Sequence, residues 1–198
     1  MWTARERFAA VLAGEVPDRP LVTAWGHNRA DEYPGGPLAA WTAETARRWD
    51  WDWIKVNPRA TYYGEIWGNT YRRGDYEQRD IPRQLSVAVD TVADLDRIGV
   101  ATGSDVLEEQ VRLIGDVHAL APDVPVVQTL FSPLSALIQL AGLSYYPGKP
   151  VFGAGGRLTL EALFTEDPAA THRALRNITD TFVGDVERLR AAGADGIF

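Results

Sequence analysis

The chain of 198 residues contains no cysteine, which removes both a disulfide framework and a thiolate metal site from this segment. Histidine is scarce too. The three present, His27, His118 and His172, fall on distant elements, so no structural zinc site and no cofactor is expected within these residues. Cations are outnumbered, 20 Lys and Arg against 27 Asp and Glu, for a formal net charge of −7. Basic runs stop at the pairs Arg47-Arg48 and Arg72-Arg73. Without clustered cations there is little to hold a phosphate backbone, which argues against a nucleic-acid partner. No apolar run approaches the roughly 20 residues of a membrane span, and residues 1–7 lack the apolar core of a signal peptide. The expectation is a cytoplasmic protein with no membrane partner.

What is present is aromatic and periodic. Seven Trp and seven Tyr are many for this length, and they concentrate between Trp25 and Tyr76. Thr3 followed by Glu6 is a capping box that opens a helix, with Phe8, Val11 and Leu12 as its apolar face. Gly14 ends it and Pro17 forbids its return. Residues 21–25 form a short apolar stretch, read as the first strand. A Gly/Pro loop over residues 34–37 precedes a helix that turns Leu38, Trp41, Thr45 and Trp49 inward. Residues 51–56 read as the second strand, halted by Asn57-Pro58.

Residues 62–89 alternate, with turn signals at Gly68-Asn69 and Gly74-Asp75, and predict an excursion containing a β-hairpin. Asp105 and Glu108 start an amphipathic helix carrying Leu107, Val111, Ile114 and Val117. Residues 124–131 are a β-branched run, the third strand, and Ser132-Pro133 caps the helix after it. Asp167-Pro168 opens the longest helix, with Leu175, Ile178, Phe182, Val186 and Leu189 at spacings of three and four. Residues 194–198 begin a fourth strand. Residues 153–157, Gly-Ala-Gly-Gly-Arg, lack the Lys and Ser/Thr of a phosphate-binding loop and read as a flexible loop. His118 and His172 read as surface positions on their helices.

Alternating helices and short strands mean parallel βαβ units. Residues 25–29 make no Gly-rich dinucleotide turn. Four strands in this length are about half of a large barrel.

The residues also carry a resemblance. Residues 3–20, TARERFAAVLAGEVPDRP, resemble the opening helix and lead-in of the uroporphyrinogen decarboxylase (URO-D) superfamily. Residues 52–68, DWIKVNPRATYYGEIWG, resemble its second strand and following loop. Residues 125–142 resemble its third unit, and residues 167–195 the helix leading to its fourth strand. The resemblance implies an α/β fold: the first half, about four βα units, of a TIM-type (β/α)8 barrel. It would carry an N-terminal helix and a hairpin excursion after the second strand, with residues 1–198 forming one incomplete domain. It implies decarboxylation of a carboxylated substrate without a cofactor, or, in a related branch, methyl transfer to corrinoids or thiols using zinc held by His and Cys. Residues 24–29 stand where the decarboxylases have an arginine-bearing signature, leaving Arg29 as a substrate-binding arginine. Asn57 or Pro58 stands in place of the catalytic aspartate, and Gln139 near a family tyrosine.

Barrel chemistry sits at the C-terminal ends of the strands. That selects His27 and Arg29 as catalytic candidates, and Asn28, Asn57, Arg59, Tyr62 and Tyr63 as substrate-binding ones, on one rim of a shared cleft. His27 suits proton transfer, or is a solvated loop histidine. Arg29 and Arg59 suit bidentate carboxylate binding, or make surface salt bridges. Asn57 also reads as a strand-terminating turn, and the tyrosines as rim packing. Three functional classes follow: a carbon–carbon lyase on a carboxylated, tetrapyrrole-like small molecule; a zinc-dependent corrinoid methyltransferase with metal ligands outside this segment; and a fragment without activity of its own. A half barrel exposes strand edges, so association into a homodimer and negligible turnover by the 198 residues alone are expected.

Overall fold

The computed structural model describes residues 2–34, 37–77, 79–145 and 148–198. Gly35 and Gly36 of the expected Gly/Pro loop lie outside the described residues. The elements run α1 Ala4–Leu12, α2 Leu38–Arg48, β1 Ile54–Val56, α3 Tyr62–Glu65, β2 Thr70–Tyr71 and β3 Gln84–Ser86. A 3-10 turn, Val92–Arg97, follows, then α4 Asp105–Leu120, β4 Val126–Gln128, α5 Pro133–Leu140, α6 Leu160–Thr165, α7 Pro168–Ala191 and β5 Gly196–Ile197. The fold is mixed α/β with a parallel sheet, and among the described residues the sheet does not close into a barrel. No helix among them is long and apolar enough to cross a membrane. The chain divides into two compact units. The first comprises Met1–Pro58, Glu108–Leu130 and Val186–Phe198, the second Arg59–Leu107 and Phe131–Asp185.

In the first unit three parallel strands lie in the order β1-β4-β5, with Ile54 opposite Val126 and Val127 opposite Gly196. They correspond to the second, third and fourth predicted strands. The first predicted strand, residues 21–25, is not one. Its backbone bond to the segment before β1 is Asp52 N–H to the Val22 carbonyl, at 2.8 Å. The Val22 N–H is taken by the Asp52 carboxylate at 2.8 Å, and the Thr23 hydroxyl donates to the Trp53 carbonyl at 2.6 Å. Side chains have taken the groups a ladder would use.

The capping box at Thr3 and Glu6 forms as expected, starting α1. The helix buries Arg7 and Ala10, however, while Val11 and Leu12 lie exposed. The cause is charge: the Arg7 guanidinium bonds Asp18 at 2.6 Å and Asp52 at 3.2 Å, and this orients the helix. In α2 the buried positions are Leu38, Thr42, Ala43 and Ala46, and the tryptophans expected inward, Trp41 and Trp49, are exposed. Ala43 and Ala46 pack in one core with Ile54, Val56, Ile114, Val117, Val126 and Leu189, where small side chains let the helix approach the strands. His118 is a further correction. It is half-buried, and it lies so close to Gly193 (φ +113°) that a Cβ there would meet its ring at 2.6 Å.

The second unit contains the hairpin predicted for residues 62–89: β2 and β3 pair antiparallel, with Thr70 opposite Ser86. The excursion opens with the short helix α3. Asn69, expected in a turn, is buried at 3% exposure, donating to the Gln139 carbonyl at 2.8 Å and accepting from the Ala88 N–H at 2.7 Å. The glycine-rich loop is tied at its start to Gln84 of β3. Gln84 N–H bonds the Phe152 carbonyl at 2.8 Å, Ala154 N–H bonds the Gln84 carbonyl at 2.9 Å, and the Gln84 side chain bonds the Ala154 carbonyl at 2.7 Å. Ser132 and Asp167 cap α5 and α7 through the N–H groups of Ser135 and Ala170. Of the face predicted for α7, Ile178, Phe182 and Leu189 are buried. Ala170, Thr171, Ala174 and Asp185 join them.

Candidate functional site

Parallel strands bring their C-terminal ends to one side, so the segments following them are where side chains converge. In the first unit Asn57 follows β1 directly and is half-buried. In the loop after residues 21–25, the His27 Nδ1 lies 3.6 Å from a carboxylate oxygen of Glu32, a residue 2% exposed. At that distance the pair is a charge contact rather than a hydrogen bond. Asn28 donates to Asp31 at 2.7 Å, and Asp31 N–H returns to the Asn28 carbonyl at 3.1 Å. Its side chain shapes the turn that presents His27 and the exposed Arg29.

The other candidates fall in the second unit. Arg59 is buried, at 2% exposure, and grips Glu65 through Nε (3.0 Å to each carboxylate oxygen) and Nη2 (2.7 Å). The Thr61 hydroxyl donates to the same carboxylate at 2.5 Å. The bidentate geometry expected for a substrate carboxylate is met here by an internal one. Tyr62 and Tyr63 are buried, their ring centroids 3.8 Å apart, and Tyr63 stacks on Phe131 at 4.2 Å with planes 8° apart. Burial raises both phenols well above the ordinary tyrosine range, and for each the nearby Asp185 charge adds to the shift. They stay neutral at any physiological pH. The sequence-predicted set therefore divides: His27, Asn28, Arg29 and Asn57 belong to one unit, and Arg59, Tyr62 and Tyr63 to the other.

Lys55 was not among the predicted residues. It sits mid-strand in β1, 8% exposed, with its ammonium 4.2 Å from the Trp25 ring centroid and 3.8 Å from that of Phe198. Burial lowers its pKa. A signal was available, because a lysine inside the apolar run Trp53-Ile54-Lys55-Val56 contradicts a strand buried on both faces. Among the described residues no cluster of three or more His, Cys, Asp or Glu is placed to hold a metal ion.

No family model matches the chain, and no curated protein does. Among solved structures it is similar to a methyltransferase from Methanosarcina mazei, with a TM-score of 0.69 and 18% sequence identity. The likeness covers 100% of this chain and 58% of that one. It is a likeness of fold. The chain spans a little over half the length of that structure, which is consistent with part of a TIM-type barrel.

Proposed function

We propose that these residues belong to a methyl-transferring enzyme on a URO-D-like barrel, of the zinc-dependent corrinoid type, rather than to a decarboxylase. The observation that carries the reading is the likeness, along the whole chain, to the fold of a methyltransferase. A second observation supports it. The position of the decarboxylase aspartate is held by Asn57 and the buried Pro58, neither of which carries charge. The nearest carboxylate in this part of the chain, Asp52, precedes β1 and is held by Arg7, Arg19 and the Val22 N–H.

The described residues do not fit a zinc site, so its ligands would come from outside them, and no step is derived through the metal. What these residues supply is proton handling and binding. When a methyl group leaves a substrate heteroatom as a cation equivalent, that atom keeps the electron pair and needs a proton. His27, as the imidazolium protonated on both ring nitrogens, would give it from Nε2 and become neutral, while Arg29 neutralises an anionic group and Asn28 and Asn57 position the substrate.

The test is a full-length protein assayed by absorbance for conversion between cob(I)alamin and methylcobalamin with methylated thiols or amines. In parallel, carbon dioxide release from uroporphyrinogen is measured. Methyl transfer is expected, with kcat falling about 100-fold or more in His27→Asn. Carbon dioxide release without corrinoid methylation would overturn the reading.

A further inference from the structure

Of the 20 Lys and Arg residues two are lysine, Lys55 and Lys149. The choice matters where a cation is buried, because an amine can give up its proton and a guanidinium cannot. The arginines buried among the described residues, Arg7 and Arg59, each grip carboxylates. Lys55 is buried too, yet among the described residues no carboxylate pairs with it. An ion pair does not account for this lysine, and methyl transfer gives it no task.

Its surroundings follow from strand alternation. Ile54 and Val56 turn into the aliphatic core with Ala43, Ile114 and Val126, so Lys55 projects from the opposite face of β1. In register beside it on that face stand Val127 of β4 and then Gly196 of β5, neither of them charged. The Trp25 and Phe198 rings, with centroids 5.8 Å apart, both lie against the ammonium. Each ring is itself more than half exposed, at 54% and 55%. The Lys55 nitrogen is not sealed from solvent, as the side-chain amides of Gln110 and Gln128 are. An open aromatic surface therefore leads to the amine.

Loss of water here favours the neutral amine, and the ring faces, which favour the cation, offset only part of that. An amine desolvated among apolar groups is an activated nucleophile.

We propose that Lys55 is an imine-forming residue that captures a small aromatic aldehyde or ketone, the ligand's ring stacking on Trp25. The step balances without a further reactant. The ammonium gives one proton to solvent, and the nitrogen lone pair adds to the carbonyl carbon as the C=O π pair moves to oxygen. The two hydrogens left on nitrogen then depart with that oxygen as water, leaving a C=N bond to Nζ. The inference goes beyond the methyl-transfer reading and does not rest on it, because it is read by mass rather than by turnover.

The probe is benzaldehyde, with propanal as the comparison that lacks a ring. Each is incubated near neutral pH with the full-length protein and sodium cyanoborohydride, which reduces an imine to a stable secondary amine. Mass spectrometry then follows the adducts on the peptides containing Lys55 and Lys149. Benzaldehyde should modify Lys55 about tenfold faster than the exposed Lys149. The ratio of the two sites should be roughly two- to tenfold larger for benzaldehyde than for propanal, as expected for one aromatic pair. Trp25→Leu, which keeps an apolar cover over the amine but removes the ring, should erase that excess. In concentrated urea the two lysines should react alike. The proposal is overturned if Lys55 in the folded protein reacts no faster than Lys149, if urea leaves their ratio unchanged, or if the two aldehydes give the same ratio. Selective modification of Lys55 in a protein that transfers no methyl group would uphold this inference while removing the other.

Discussion

Both units bury an arginine against a carboxylate, but they use it differently. In the first unit Arg7 and Arg19 converge on Asp52, and the lattice of charge fastens α1 and the segment at Val22 to the start of β1. The hydrophobic core of that unit is aliphatic, with backbone bonding backbone along three parallel strands. In the second unit the strands named among the described residues are one antiparallel pair. There the loops are held by buried amide side chains, Asn69, Gln84 and Gln139, each bonded to main-chain groups. One unit is organised by repetition, the other by individual polar side chains placed at single points.

The largest effect should follow from cutting the charge lattice. Asp52→Ala leaves the 8%-exposed Arg7 side chain with one carboxylate fewer and the Val22 N–H without its acceptor. Urea denaturation should show a loss of about 3 kcal/mol, at the low end for a broken buried pair because Arg19 is partly solvated. Burial alone would raise the Asp52 carboxyl, but the Arg19 and Val22 bonds and the charges of Arg19 and Arg7 hold it below the usual carboxylate range. A lowered pKa means stability fully present above about pH 4 and lost as pH falls through the folded-state value. The gap between Asp52→Ala and the parent should therefore shrink in acid. A gap constant to pH 2 would mean that packing rather than charge is responsible.

A smaller effect, confined to the other unit, is expected from Gly153→Ala. Gly153 has φ +105°, and a Cβ would collide with the Gln84 carbonyl oxygen. The cost should be about 2 kcal/mol. Hydrogen exchange should accelerate at the Gln84 and Ala154 amides while the Ile54 and Phe198 amides keep their protection. Acceleration spread equally over both sets would erase the distinction between the units.

Lys55→Met should change neutral-pH stability least, by under about 1 kcal/mol, because relief of a buried charge offsets the loss of two aromatic contacts. Burial lowers the Lys55 pKa below its unfolded value, so between the two the unfolded chain binds more protons and stability rises with pH. That alkaline rise should be missing from Lys55→Met. A rise of equal size in both proteins would assign it to other groups.

The same division explains what could be read in the sequence. The capping box at Thr3, the Pro-initiated helices at Ser132 and Asp167, and the runs that became β1, β4 and β5 are local or periodic signals, and the structure follows them. Residues 21–25 show the limit. Their apolar pattern suits a strand, but the outcome was decided by Asp52, thirty residues away, taking the Val22 N–H. The faces of α1 and α2 were misread for a related reason. Trp41 and Val11 are more apolar than Thr42 and Arg7, yet a close helix–strand approach and a buried ion pair outweigh side-chain hydrophobicity. Among the site candidates, Arg59 was legible as a carboxylate-binding arginine. That its carboxylate is Glu65 follows from the turn of α3, which no pattern in the sequence announced.

The aromatic surroundings of Lys55 have an optical consequence. A cation 4.2 Å from an indole face perturbs the excited-state dipole of that ring, so the emission of Trp25 is tied to the ionisation of one lysine. The protein thus carries its own dye. As alkali removes the proton, the fluorescence of Trp25 should shift while the other tryptophans report only a background, and the midpoint of that shift reads the electrostatics of the β1 interior without any label.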